Sequence, residues 1–218
     1  CSLLKEVSIS SSSMICINSY SFNNCYSLIN ITIPSTVTKI ERLSFNNCRS
    51  LKQIIIPSSV TYIGGKAFCG CSSLEQIILP SSVTYIGENA FCDCSSLEQI
   101  TIISLKSIES KSFYNCSSIT RIEIPSNVNS IGNYSFYNCE LLKEVLFSPS
   151  SLLDSIDKDA FRLCKSLTEI VFPSSLTMIF DNAFRECSSL QKVSFHSPSS
   201  LVTICEYAFE KCSSLIEI

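Results

Sequence analysis

The chain has 218 residues, enough to bury a sizeable core, and an apolar content of 45% excludes a disordered tail. Charged residues make up 16% and the net charge is −3, so no basic stripe or acidic run marks a nucleic-acid or polybasic membrane partner. One histidine, His196, no tryptophan and five glycines leave little material for catalytic or phosphate-binding motifs, whereas fourteen cysteines demand an explanation. Apolar residues come in twos and threes, as in Ile54-Ile55-Ile56, far short of the roughly 18 that a membrane helix needs. No initiator Met, basic n-region or h-region marks a signal peptide, and a chain that starts at Cys1 and stops at Ile218 inside a recurring pattern reads as a fragment of a longer one.

Phe-x-x-Cys recurs nine times: Phe22/Cys25, Phe45/Cys48, Phe68/Cys71, Phe91/Cys94, Phe113/Cys116, Phe136/Cys139, Phe161/Cys164, Phe184/Cys187 and Phe209/Cys212, with Cys1 opening the series. Cysteine spacings of 22 to 25 residues leave no linker, so residues 1–218 read as one domain of about nine repeats. The first predicted element of each repeat is a short strand. Its I-x-I step (Ile31/Ile33, Ile54/Ile56, Ile77/Leu79) has period two and is rich in β-branched residues. Pro-Ser-Ser ends it, because Pro cannot donate to a ladder and favours a turn. A V-x-x-I piece follows as a second extended segment, as at Val60/Ile63 and Val83/Ile86. The third element, A/S-F-x-x-C, is compact, and its small residue admits the backbone of the next coil. Asn24, Asn47, Gly70, Asp93, Asn115 and Asn138, each just before a Cys, tolerate a left-handed turn. Eight inward positions per repeat cannot close a core alone, but coils stacked about 4.8 Å apart can. One Phe per coil then forms a spine, and stability is nearest-neighbour, weakest at the two ends.

The unit Leu51-x-x-Ile54-x-Ile56-Pro57-Ser58-Ser59-Val60-x-x-Ile63-Gly64-x-x-Ala67-Phe68-x-x-Cys71 resembles the BspA-like, or Treponema-type, leucine-rich repeats over essentially the whole chain. The resemblance implies a right-handed leucine-rich-repeat solenoid of the α/β horseshoe superfold. It would be mainly β with short turns or 3₁₀ segments and a parallel sheet on the concave face. It also implies a surface or secreted protein of a bacterium or a parasitic protist, associated with adhesion to host proteins or to other cells.

Ten cysteines share one repeat position, where successive Cβ vectors run parallel at about one strand spacing rather than converging as a disulfide needs. They read as buried thiols acting as small hydrophobes. Cys16, Cys69, Cys92 and Cys205 stand off this ladder. Cys69 and Cys92 follow the Phe of adjacent coils, which raises a disulfide between them or a zinc site shared with Cys71 and Cys94. Free thiols are the favoured reading, because the ladder partners point inward.

Positions four, five and seven after each Cys face the open side of the sheet. The candidate binding residues are therefore Lys52, Gln53, Ile55, Glu75, Gln76, Ile78, Glu98, Gln99, Thr101, Arg121 and Glu123. Gln53, Gln76 and Gln99 stack as an amide ladder beside exposed Ile55 and Ile78, a patch suited to protein binding. The plainer account is that β-branched residues simply favour strands. Insertions at residues 148–151 and 196–200 project from one edge, while the coil at 103–105 is one residue short and bends the stack. His196 lies in such a loop as a solvated residue. Sequons at Asn30, Asn115 and Asn133 support a secretory route weakly.

These features favour a non-catalytic protein-recognition or adhesion scaffold, with protein ligands on host or neighbouring cells, no nucleic acid and no membrane insertion. The alternatives are a structural spacer, a stalk self-assembling end to end through its terminal strands, or an intracellular leucine-rich-repeat adaptor, which free thiols would suit. The sequence has no G-x-S-x-G and no GKS/T loop, so no residue is assigned to catalysis, and no cofactor or metal is expected.

Overall fold

The computed structural model describes residues 2–10 and 13–218. They form a β-solenoid of about nine turns with no helix among the described residues. In chain order the strands are β1 (Glu6–Ser8), β2 (Cys16–Ile17), β3 (Asn30–Thr32), β4 (Lys39–Ile40), β5 (Gln53–Ile55), β6 (Tyr62–Ile63), β7 (Gln76–Ile78), β8 (Tyr85–Ile86) and β9 (Gln99–Thr101). After the short coil come β10 (Arg121–Ile124), β11 (Ser130–Ile131), β12 (Glu144–Phe147), β13 (Ser155–Ile156), β14 (Glu169–Phe172), β15 (Met178–Ile179), β16 (Lys192–Phe195) and β17 (Thr203–Ile204). The I-x-I strands stack into a wider column and the V-x-x-I strands into a narrower one. Every pairing is parallel and one repeat apart, as in Ile54↔Ile77↔Ile100 and Ile40↔Ile63↔Ile86.

The inward positions close the core as the spacing predicts. From Cys48 to Phe68, the residues Cys48, Leu51, Ile54, Ile56, Val60, Ile63, Ala67 and Phe68 are each at most 6% exposed. Nine phenylalanines run from Phe22 to Phe209 as a continuous spine, with centroids 5.0–5.6 Å apart and planes within 11° of parallel. The coil spacing imposes that offset stack, a favourable aromatic arrangement. Further along the chain, a second aromatic row, Phe147, Phe172 and Phe195, replaces the isoleucines at the end of the wider strands and packs at 36–41°.

A third column consists of turns throughout and carries the A/S-F-x-x-C segments. Local turns close through alternate N–H groups: those of Ala67, Cys69 and Cys71 donate to the carbonyls of Gly64, Lys66 and Phe68. The intervening N–H groups of Lys66, Phe68 and Gly70 donate instead to Glu88, Ala90 and Cys92 of the next coil at 2.7–2.9 Å. Left-handed residues make this alternation possible. The position before Cys has positive φ in all nine copies, including Leu163, Glu186 and Lys211. A second left-handed position, two residues before Phe, carries no residue signature: Tyr20, Leu43, Lys66, Asn89, Lys111, Tyr134, Asp159, Asn182 and Tyr207 occupy it. Gly70 takes the position before Cys71 with φ 74°, a conformation that costs glycine nothing, and a Cβ there would meet the Asn47 amide.

The thirteen described cysteines are free, and the rung expected at Cys1 lies outside the described residues. The ladder thiols do more than fill space. Each from Cys48 to Cys212 donates to the Phe carbonyl of the preceding coil at 3.0–3.3 Å, as Cys71 does to Phe45 and Cys94 to Phe68. Cys71 and Cys94 are thereby turned into the core, which removes them from any four-cysteine zinc arrangement.

The wider column breaks at several coils, and at the short one the narrower column breaks with it. The wider column is divided into β1-β3, β5-β7-β9, β10-β12 and β14-β16, and the narrower column is divided between β8 and the isolated Ile108↔Ile131 bridge. Between residues 101 and 121 both columns are therefore unbonded at once, while the turn column remains bonded through Phe91 N–H to the Ser112 carbonyl at 2.9 Å. One missing residue shortens the strand side of the coil and spares the turn side.

Candidate protein-binding face

Strand alternation builds this face. In β5 and β7 the central isoleucine points into the core, so its neighbours must point outward: Ile55 is 84% exposed and Ile78 71%. Lys52, Gln53, Glu75, Gln76, Glu98, Gln99, Thr101, Arg121 and Glu123 are exposed on the same face. The structure brings them together in register, Gln53↔Gln76↔Gln99 along one row and Ile55↔Ile78↔Thr101 along the next.

Three shallow depressions follow one another along the face. Ile29, Asn30, Lys52, Gln53, Glu75 and Gln76 line one of about 340 Å³, with Lys52 and Glu75 supplying opposite charges. Gln53, Gln76, Ile55, Ile78 and Pro80 line an apolar one of about 350 Å³. The third, about 310 Å³, opens where β9 and β10 are unbonded and presents Glu98, Gln99, Thr101, Arg121 and Glu123. Arg121 also pairs with Glu144 at 3.6 Å, which orients its guanidinium along the face. The result is an apolar centre rimmed by amides and mixed charge.

Hydrogen-bonded amide pairs lie elsewhere, on the turn column: Asn46 to Asn23 at 2.9 Å, Asn47 to Asn24 at 3.0 Å, and Asn138 to Asn115 at 3.2 Å. That column holds Asn115, whose amide also donates to Asp93 at 2.9 Å, whereas the sequon residues Asn30 and Asn133 are exposed. The second insertion places His196 on the strand face, exposed beside Glu144, Val171 and Glu169 in a depression of about 160 Å³. Its N–H extends the ladder to the Phe172 carbonyl at 2.9 Å, so the loop follows the sheet instead of leaving it. Nothing in the residue spacing announces that course; it follows from which strand the inserted residues continue.

Burial suppresses thiol reactivity along the ladder. Desolvation pushes the Cys48 thiol up to about 12, with Cys25 adding to the rise. The thiols of Cys71, Cys94, Cys116 and Cys187 are raised well above their ordinary range, chiefly by the same desolvation. These groups are neutral donors within the core and offer no nucleophile at neutral pH.

Residues 1–105 and 106–218 match the family described as BspA type Leucine rich repeat region, in six copies. Among solved structures, a leucine-rich repeat protein from Bacteroides ovatus is 25% identical, with a TM-score of 0.57 over 99% of this chain and 78% of its own. A leucine-rich cell surface protein from Faecalibacterium prausnitzii is 29% identical, with a TM-score of 0.61 over 99% of this chain, which spans 59% of that protein. A leucine-rich repeat protein from Eubacterium ventriosum, 20% identical with a TM-score of 0.59 over 98% of this chain and 84% of its own, shares the fold. No curated protein sequence matches the chain significantly. Among the described residues, no helix is long and apolar enough to cross a membrane.

Proposed function

The chain belongs to the BspA-type leucine-rich repeat family, and from that premise we propose that it is a non-catalytic recognition scaffold of a cell-surface or secreted protein. Its wider strand face docks a protein on a host or neighbouring cell. The observation that carries this reading is the exposed Ile55/Ile78 pair, set in register between Gln53, Gln76 and Gln99 and flanked by Lys52, Glu75 and Glu98. Apolar side chains held on a rigid sheet lose little conformational freedom on binding, and the surrounding amides satisfy a partner's polar groups. The cell-surface description of the Faecalibacterium relative supports the proposed location.

The test is binding of the labelled chain to intact epithelial cells and to immobilised purified cell-surface proteins, with the double variant Ile55→Glu/Ile78→Glu as comparator. Both positions are outward, so the variant keeps its fold by circular dichroism. Saturable binding by the parent and a loss of at least about tenfold in the variant are expected, as for a buried apolar anchor. Equal binding by the two proteins, or no binding by either, would sink the proposal. Sedimentation over a range of concentrations separates it from the self-assembling stalk, which would polymerise.

A further inference from the structure

Cys69, Cys92 and Asp93 are brought together on the turn column, and we propose that they form a binding site for a single thiophilic divalent cation of the zinc group. Cys69 and Cys92 occupy the same repeat position in successive coils, immediately after the spine phenylalanine. Their two sulfurs and an Asp93 carboxylate oxygen all lie within 4.8 Å of one another. Elsewhere along the column this position carries Asn23, Asn46, Tyr114, Tyr137, Arg162, Arg185 and Glu210, so the juxtaposition of two thiols is local to these two coils.

The geometry suits a shared cation. Zinc holds thiolate sulfur at about 2.3 Å and carboxylate oxygen at about 2.0–2.2 Å, which sets sulfurs on one tetrahedral ion about 3.8 Å apart. Cys92 Sγ already stands 3.2 Å from Asp93 Oδ2, so side-chain rotation suffices to converge all three donors. The donor balance points the same way. Cys92 donates to the Asp93 carboxylate at 3.2 Å and lies against the Cys69 sulfur, so one cation in place of the thiol protons would engage all three donors at once.

The carboxylate is held for the role. Asp93 is left-handed (φ 60°), which turns its N–H to the Tyr114 carbonyl at 2.8 Å, and the Asn115 amide fixes its Oδ1 at 2.9 Å, leaving Oδ2 for the site. Such an outer hydrogen bond orients a ligating carboxylate. Cys92 is buried, Cys69 half-buried and Asp93 exposed, so the cluster opens on one side. Three protein donors with an open fourth position admit water or an external donor. Because the ladder thiols Cys71 and Cys94 are engaged with Phe45 and Phe68, they do not compete. The site lies on the turn column and stands or falls independently of the strand-face proposal.

Titration of the reduced chain with Cd²⁺, followed by the thiolate-to-cadmium charge-transfer band and competed with Zn²⁺, tests it. One equivalent bound and displaced by Zn²⁺ is expected, with the band lost in Cys69→Ser and in Cys92→Ser but unchanged in Cys16→Ser/Cys205→Ser. Asp93→Asn keeps a residue that tolerates the left-handed backbone, so it folds, and Asn115→Gly removes the supporting amide while suiting the left-handed backbone there, φ 57°. Both should weaken binding on the order of 10–100-fold. An undiminished band in the Cys69→Ser/Cys92→Ser double variant, no band in the reduced parent, or unchanged affinity in Asp93→Asn would each overturn the proposal.

Discussion

The coils before and after the short one at residues 94–116 meet the same stacking demand with different side chains. In the first region, near-identical repeats set each residue on its own copy, which favours groups that accept themselves. Tyr62 stacks on Tyr85 at 5.1 Å, Asn46 donates to Asn23 and Asn47 to Asn24, and Gln53, Gln76 and Gln99 stand in register. In the second, the repeats have diverged enough for opposite charges to meet. Arg162 bonds Asp159 at 3.3 Å and Glu186 at 3.0 Å, Arg185 reaches Glu210 at 2.7 Å, and Lys165 reaches Glu140 at 2.8 Å. Every ion pair found among the described residues involves residues 121 and beyond. An in-register array of identical charges repels itself, so ion pairing requires divergence whereas amide and aromatic ladders do not. The exposed isoleucines of the proposed face lie in the near-identical region.

Three measurements sharpen that contrast. The largest effect is alkaline and spans both regions, because the thiol ladder crosses the seam. Its thiols titrate higher in the folded chain, up to about 12 for Cys48 and well above the ordinary value for Cys71, Cys94, Cys116 and Cys187. Their contribution is therefore fully present below the ordinary thiol value near 9. It is lost as pH rises from there toward the folded-state values, at about 1.4 kcal/mol per buried thiol per pH unit. Denaturant midpoints should collapse between about pH 9 and 10, with a shallower slope in Cys94→Ala. A midpoint constant across that interval would contradict the ladder.

Phe113→Ala should cost about 3–5 kcal/mol, as for a buried aromatic, and separate the two regions. At the seam both strand columns are unbonded, so the coils are coupled by the turn column, by the apolar core and by the Phe91–Phe113 stack, at 5.6 Å the widest of the spine. Urea unfolding should then show two transitions, whereas Phe45→Ala, within a region, should leave one. A single transition in Phe113→Ala would mean that the seam does not divide the array.

The smallest effect is confined to the second region. Arg162→Met leaves the Asp159 carboxylate, whose side chain is 2% exposed, without its cationic partner and should cost about 2 kcal/mol. Adding Asp159→Asn should recover most of it, since Asn suits the left-handed backbone there, φ 56°. Amide exchange should quicken around residues 159–186 and stay unchanged before residue 94. Uniform loosening would show that the regions share their stability.

Much of the fold was legible because burial in a solenoid is periodic: Leu51, Ile54, Ile56, Val60, Ile63 and Phe68 announce their positions by recurring. Left-handed backbone before Cys was legible at Asn24 and Gly70 from residue type, but the equal strain at Leu43 and Lys66 was not, because those types carry no turn signature and the coil alone enforces it. The eleven outward residues followed from alternation. Their grouping into three depressions did not, since the opening beside Arg121 depends on the β9–β10 gap.

By itself, the sequence determined the repeat, the stacked parallel strands, the Phe spine and the inward thiol ladder, because each is a spacing that recurs nine times. Tertiary structure alone decided that ladder thiols donate to Phe carbonyls, that both strand columns part at the short coil, and that Asp93 rather than Cys71 or Cys94 joins Cys69 and Cys92. Those outcomes depend on how neighbouring coils meet across about 23 residues of chain. A periodic pattern shows which residues stack, whereas the distances and hydrogen bonds between them exist only once the coils have closed on one another.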